Sequence, residues 1–539
     1  MAAGQRPGVW PVWASVVLAV AVVATVYLYR LGGAPLWGDE AGTGLFARNV
    51  LHYGYPLAFD GRNLSIYDGG AELNADLAVA KIPWIQFYVG ALSLAVFGDD
   101  AQGLRALFAL LGLATFFPLR SVLRSRVPSP LFVAMLILIT PQVVLFHRNA
   151  RYYSVLTVIF ALLVWVVCNI GLSKSKRFGL ASICMVLLFH AHPVAAAACG
   201  LALVLHAALL RRHFFVYISA CVVGIASWLL WVAFVGPTLV APQLLLDFRD
   251  IPPMEWLGVL VRNLGTALAD LDAVQATPVL AWALGLLFLW KMRAHRWAEF
   301  FKDPLVSFVM LALVVHLLLV ALLFGTETSE EHSLLRYMPH LIAFSIVPLC
   351  MLIAELVKDK RTFIVVCVAL VATNLPTISF WKSLGEKPIP TSWWPATYEE
   401  IFNPHPDAID AVLIAIRNEP EVANSGMDTL QVIPSWLQEV AIFYLGNRFI
   451  VVPNIEPGSV AEGVVRVKIG QDALSRFDAR PKWVLHEAPG APVSVPGYTR
   501  IEIPVHRLRP DDGTRPELTR HTFYQQDAVG KISLYRRVQ

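Results

Sequence analysis

Two adjacent carboxylates, Asp39 and Glu40, close the stretch Leu36-Trp37-Gly38-Asp39-Glu40 just beyond the first long apolar run. An acidic pair at a membrane surface can take a proton from an attacking hydroxyl or offer oxygen ligands to a divalent cation. It can also simply open a helix, with Asp39 capping Ala41 to Leu51. A set of cationic and phenolic side chains goes with it: Lys81, then Arg148, Arg151 and Tyr152 in one short link, then Arg336 and Tyr337. Guanidinium groups bind phosphate through two parallel hydrogen bonds, and a lysine binds it as a point charge. Snorkelling toward lipid headgroups is the plainer role for the same residues. His190-Ala191-His192-Pro193 has an HxH spacing but no nearby partner ligands. It reads as a hydrogen-bonded helix end, and His316 as a packed or hydrogen-bonded core residue.

The elements that must position these groups are nearly all apolar. The chain has 539 residues, 57% hydrophobic and 15% charged, against about 25% charged in ordinary soluble domains. A net charge of +4 does not argue for nucleic acid. All six cysteines lie inside apolar runs with no metal-ligand spacing, as small hydrophobes do. Val12 to Leu28 is about long enough to span a bilayer and has no convincing cleavage site after it, so it reads as a retained first helix. Further apolar runs cover 104–119, 131–146, 154–172, 178–190, 194–210, 214–235, 278–290, 304–324, 338–357 and 361–380.

Basic clusters assign the sides. They stand at Arg120/Arg124/Arg126, Lys174/Lys176/Arg177, Arg211/Arg212, Lys291/Arg293/Arg296 and Lys358/Lys360/Arg361. If 82–97 folds back as a juxtamembrane helix rather than crossing, every cluster falls on the cytoplasmic side with Arg6, as the positive-inside rule asks. The chain then has about eleven spans. Its N-terminus is inside, and its first loop (31–103), the 147–153 link, 236–277 and 326–336 are outside. Met254 to Leu268 has helical apolar spacing and reads as a helix lying on the membrane surface. Residues 1–380 form the transmembrane domain, and 381–539 a small extracytoplasmic α/β domain. In that tail, helices are expected over Asp407–Asn418 and over Ser435–Leu445, the latter opened by a Ser435/Gln438 capping box. Short strands are expected at Phe449–Val452, Trp483–His486, Arg500–Val505 and Ile532–Tyr535.

The order and sidedness of several short motifs resemble the GT-C glycosyltransferases, in particular their protein-mannosyltransferase-like branch. The motifs are Leu-Trp-Gly-Asp-Glu after the first span, Lys81-Ile82-Pro83-Trp84 running to Phe97-Gly98-Asp99-Asp100, then Leu104-Arg105. Arg148-Asn149-Ala150-Arg151-Tyr152-Tyr153-Ser154 and Arg336-Tyr337-Met338-Pro339 complete the set. That resemblance implies an inverting glycosyltransferase, moving a sugar from a polyprenyl-phosphate donor to a cell-envelope acceptor (lipid, glycan or protein) at the outer face of a bacterial inner membrane. It also implies that Asp39, with Glu40 beside it, activates the acceptor, while Lys81, Arg148, Arg151 and Arg336 hold the lipid phosphate with Tyr152 and Tyr337. Several relatives carry a second acid in the link after the third span, where this chain has only Arg, Tyr and Ser. No resident cofactor or metal is therefore assigned; a weakly bound divalent cation on Asp39, Glu40 and a histidine is the remaining option.

Two other classes fit a polytopic chain. A transporter or flippase places polar residues inside its spans, often in mirrored halves; no such second half is present here. A non-catalytic envelope-assembly subunit would bind through the tail and leave the first loop idle.

Overall fold

Long uncharged runs fold as helices because a lipid interior offers backbone groups no other partner. The computed structural model describes residues 12–66, 73–80, 82–236, 254–274, 294–323, 334–372, 393–404, 428–433, 437–453, 480–486, 494–505, 515–518 and 530–538, with a few isolated positions between them. Lys81, the run 278–290 and most of the expected helix Asp407–Asn418 lie outside the described residues.

Helix α1 (Val12–Leu28) is the first apolar run, and the acidic pair sits in α2 (Gly38–Tyr53). The segment expected to fold back forms α3 (Ile85–Phe97), whose 13 residues span about 20 Å, too short for a hydrocarbon core of about 30 Å. Asp100 then caps α4 (Ala101–Ala114) by accepting the Gly103 amide at 2.7 Å, and α5 (Phe116–Leu123) continues it. Among the described residues, four helices are long and apolar enough to cross a membrane: Ala101–Leu123, Phe214–Val235, Pro304–Leu323 and Pro339–Leu356. Shorter apolar helices pack with them, and the whole fits a polytopic membrane protein.

One expected span is broken. The run 131–146 divides into α6 (Pro130–Leu138) and α7 (Pro141–His147), bent by 66° across Ile139-Thr140. Pro141 has no amide hydrogen and its ring disfavours a preceding helical turn. The freed carbonyls find partners elsewhere. Leu138 accepts the Tyr27 hydroxyl of α1 at 2.9 Å, and Ile139 accepts the Tyr398 hydroxyl of the tail at 2.6 Å. The break leads α7 into the Arg148–Arg151 link, ahead of α8 (Tyr152–Cys168). Helices α9 (Lys174–Ala191), α10 (Pro193–Leu209) and α11 (Phe214–Val235) follow. Trp256–Val274 is helical as its spacing predicts, with Val259, Ala267 and Leu271 buried and Leu257, Val261 and Leu268 exposed.

The tail carries a mixed sheet in the order β2-β1-β3-β5-β4. Its strands are β1 (Asp428–Ile433), β2 (Phe449–Val451), β3 (Trp483–His486), β4 (Tyr498–Val505) and β5 (Gly530–Arg537). β1 runs parallel to β2 and β3, while β5 is antiparallel to β3 and β4. β1 was not among the expected strands, although it joins the parallel part. The expected helix is seen as Gln438–Leu445; Ser435 of the expected capping box lies outside the described residues, and Gln438 donates to the Leu64 carbonyl at 3.1 Å. That bond is one of several tying the tail to the first loop. Buried Asn63 accepts the Val451 amide at 2.7 Å and donates to the Gly446 and Phe449 carbonyls, finishing the free edge of β2. At Gly44 of α2 the approach is so close that an added Cβ would stand 2.5 Å from the Phe443 ring.

Candidate active site

Helix α2 begins at Gly38 with Trp37 as its N-cap, so Asp39 and Glu40 occupy its first turn. Asp39 therefore does not cap. A carboxylate in that turn is favoured by the partial positive charge of the exposed backbone amides.

The two carboxylates have separate fates. Glu40 is fully buried and paired with Arg105 of α4, with Oε1 accepting Nε at 2.8 Å and Oε2 accepting Nη2 at 2.5 Å. Oε1 also accepts the Ala150 amide at 2.7 Å. The remaining Arg105 hydrogens go to the carbonyls of Leu31, Ala34 and Pro35. One ion pair thus pins α2, α4, the turn after α1 and the 148–151 link. Both Glu40 oxygens are taken, which removes Glu40 from any cation site built with Asp39. Arg105 entered the sequence reading only as part of a motif; nothing in the sequence pairs it with Glu40.

Asp39 remains partly open. Its side chain is 28% exposed, and Oδ2 accepts Arg151 Nη2 at 3.0 Å. Arg151 also reaches the Asp39 carbonyl at 3.4 Å from its place at the N-cap of α8. Next to it, the Tyr152 hydroxyl donates to the Arg336 carbonyl at 2.9 Å, and Arg336 Nη2 donates to the Tyr337 hydroxyl at 2.7 Å. Asp39, Arg151, Tyr152, Arg336 and Tyr337, from three distant stretches, are therefore joined at one end of the bundle. Arg148 faces away from them. Its guanidinium donates to the carbonyls of Val26, Tyr27, Tyr29 and Arg30 at 2.7–3.3 Å, satisfying the open C-terminus of α1.

His192 accepts the Ala195 amide through Nδ1 and so caps α10, while its ring lies 4.9 Å from Tyr152 and 5.9 Å from Tyr337. His190 turns instead toward Trp231 and Ser227. Among the described residues, no three His, Cys, Asp or Glu side chains gather as a metal site would require. His316 is fully buried, its ring centroid 5.2 Å from that of His340.

The tail brings in one acid that the sequence does not point to. Gln142 of α7 clamps the segment Arg515–Leu518, donating to the Pro516 carbonyl at 2.6 Å and accepting the Leu518 amide at 2.9 Å. Arg515 lies over the Trp37 ring at 5.8 Å. Glu517 between them is buried, and its Oε2 has no hydrogen-bond partner. Burial pushes the Glu517 pKa up, the nearby Arg336 and Arg515 charges hold it back, and Asp39 pushes it up further. No spacing rule could have linked a glutamate in a charged, proline-punctuated tail to the first loop.

Neither a family model nor a curated protein sequence matches the chain. Solved structures do. The apo form of the lipid A aminoarabinose transferase ArnT from Cupriavidus metallidurans is 16% identical, with 88% of this chain and 93% of that chain covered and a TM-score of 0.52. The same transferase bound to undecaprenyl phosphate is 14% identical, with 97% and 98% covered and a TM-score of 0.55. The oligosaccharyltransferase AglB from Archaeoglobus fulgidus overlaps more loosely, at 11% identity, 88% and 69% coverage and a TM-score of 0.40. These likenesses are of fold.

Proposed function

We propose that this chain, whose fold is that of the GT-C superfamily, is an inverting glycosyltransferase that moves a sugar from a polyprenyl-phosphate carrier to a cell-envelope acceptor. In this reading the acceptor oxygen attacks the anomeric carbon from the face opposite the phosphate, the bond from that carbon to the phosphate oxygen breaks, and the lipid phosphate leaves. Asp39 takes the acceptor proton. Arg151 and Arg336 face the negative charge that grows on the leaving phosphate, and Tyr152 and Tyr337 hold them in place. Lys81 joins them as a further cation by resemblance alone. Glu40 and Arg148 act through others: one fixes the frame around Asp39, the other ends α1.

The observation that carries this reading is the partly exposed Asp39 paired with Arg151, in a chain that overlays nearly its whole length on a transferase bound to undecaprenyl phosphate. The basic clusters support a multi-pass protein with a cytoplasmic N-terminus and an extracytoplasmic tail; its place in a bacterial inner membrane follows from the resemblance alone. Incubating purified protein with a panel of polyprenyl-phosphate sugars tests it, with mass spectrometry detecting the free lipid phosphate. Release from one donor is expected; release from none sinks the enzyme reading.

A further inference from the structure

Further along the helix that carries Asp39 lies a cleft of about 1000 Å³, walled by the first loop, α2, the start of α4 and the tail. Its volume is at the upper end for small-molecule pockets, large enough for several sugar rings. On α2 the lining residues are Leu45, Arg48, Asn49 and His52, one helical stripe. Asp39 stands about 9 Å before Leu45 along the axis and about 120° round the helix from it. The cleft therefore lies along the second half of α2, on a face turned about 120° from the one that carries Asp39. Gly32, Gly33 and Pro35 also line it and lead within a few residues to Asp39.

Its charges are unequally engaged. Each acid on the wall has a local partner. Asp60 accepts the Arg62 and Asn63 amides, Asp100 caps α4, and Asp99 pairs with Arg48 at 2.7 Å. Arg30, Arg62 and Arg417 line the same space with no carboxylate within ion-pair distance among the described residues. Arg30 and Arg417 each donate one bond to a carbonyl, and the Arg62 side chain has no partner there at all. Gln102, Asn447 and the Tyr444 hydroxyl add neutral hydrogen-bonding groups. A wall with guanidiniums that lack a carboxylate partner, with amides and a phenol, suits a ligand that is both hydroxyl-rich and negatively charged.

We propose that this cleft docks the acceptor, and that the acceptor is an anionic saccharide bearing phosphate or carboxylate groups held by Arg30, Arg62 and Arg417. The acceptor role rests on the transferase reading; the charge selectivity does not. Full-length protein in phosphatidylcholine nanodiscs is titrated with trigalacturonate, a phosphate-bearing mannotriose, neutral maltotriose and inorganic phosphate. At least one anionic trisaccharide is expected to bind well ahead of both maltotriose and phosphate. The exposed-residue variant Arg62→Ala/Arg417→Ala is expected to weaken that binding at least about tenfold. Its release of lipid phosphate from the donor, with water as acceptor, stays at the wild-type level. Equal binding of maltotriose or phosphate, or unchanged affinity in the variant, overturns the proposal. So does loss of binding when phosphatidylglycerol replaces phosphatidylcholine, which gives the cleft to lipid headgroups. A parallel fall in donor release overturns the acceptor assignment by placing these arginines in the donor site. Absence of donor release from the wild type sinks the transferase reading instead, and leaves the anion selectivity to stand on the titration.

Discussion

Glu40 and Asp39 are neighbours in sequence, yet the surroundings of each could hardly be less alike. Glu40 is buried, with Arg105 on both oxygens and the Ala150 amide on one of them. Asp39 is over a quarter exposed and faces Arg151, whose own side chain is 9% exposed. Burying a charge is tolerable only when its partners are fully supplied, so Glu40 belongs to the frame. A carboxylate left open beside a cation can still exchange partners with a substrate. Adjacent residues in a helix point about 100° apart, and that rotation separates the buried acid from the one proposed to react.

The contrast is tested first on the open side. Asp39→Asn should lower donor turnover about 10²–10⁴-fold, the usual worth of a positioned proton acceptor, with the melting temperature near that of wild type. Full activity with the native donor would remove Asp39 from the mechanism. On the closed side the order reverses. Glu40→Gln leaves Arg105 buried without its counter-charge and should cost about 3–5 kcal/mol of stability. Folded yield and thermal unfolding in detergent read this directly; a normal melting temperature combined with lost turnover would make Glu40 a reacting group after all.

A similar split divides two arginines three positions apart. Arg151→Ala should reduce turnover about 10²–10³-fold, as loss of a donor to developing charge does. Arg148→Ala removes a guanidinium that holds four carbonyls. It should cost about 1–3 kcal/mol and leave turnover per folded molecule alone. If the two variants matched in turnover, Arg148 would have to reach the lipid phosphate by a rearrangement of the α1 terminus.

How far these roles could be read in the sequence depends on whether local information determines them. Helix Ile85–Phe97 was legible as an apolar run, and the charge clusters alone argued in the sequence that it folds back rather than crosses. Four strands were legible because β-branched and aromatic runs stand between turn residues. β1 was not: Asp428-Thr-Leu-Gln-Val-Ile alternates weakly and owes its place to pairing with β2 and β3 on both sides. The break before Pro141 could have been read from the proline itself, but not the two tyrosines that make it tolerable, one of them from the tail. Arg151 and Arg336 stand out in the sequence because each is a cation where the positive-inside rule disfavours it, and Asp39 because it follows the first span within a few residues. Arg148 showed the same signal and has a different job, since type and spacing do not say which way a guanidinium turns.

The smallest expected effect concerns the acid that the tail supplies, and it separates Glu517 from both first-loop carboxylates. Glu517 is buried like Glu40, yet has no arginine on its oxygens; Oε2 is unpartnered and burial holds its pKa above the ordinary 4.5. Above pH 4.5 the unfolded chain has released this proton while the folded chain retains it, so folding is progressively disfavoured as pH rises. The loss continues until the pH passes the raised native value and is constant beyond it. Glu517→Gln cannot titrate and should lack this component. The difference in melting temperature, wild type minus Glu517→Gln, should therefore fall as the pH rises above 4.5 and then level off. A difference that rose over the same range would mean a depressed pKa, and hence an ion pair with Arg336 like the one that closes Glu40. In that case Glu517 would belong to the frame with Glu40, and Asp39 would differ from both in being partly exposed.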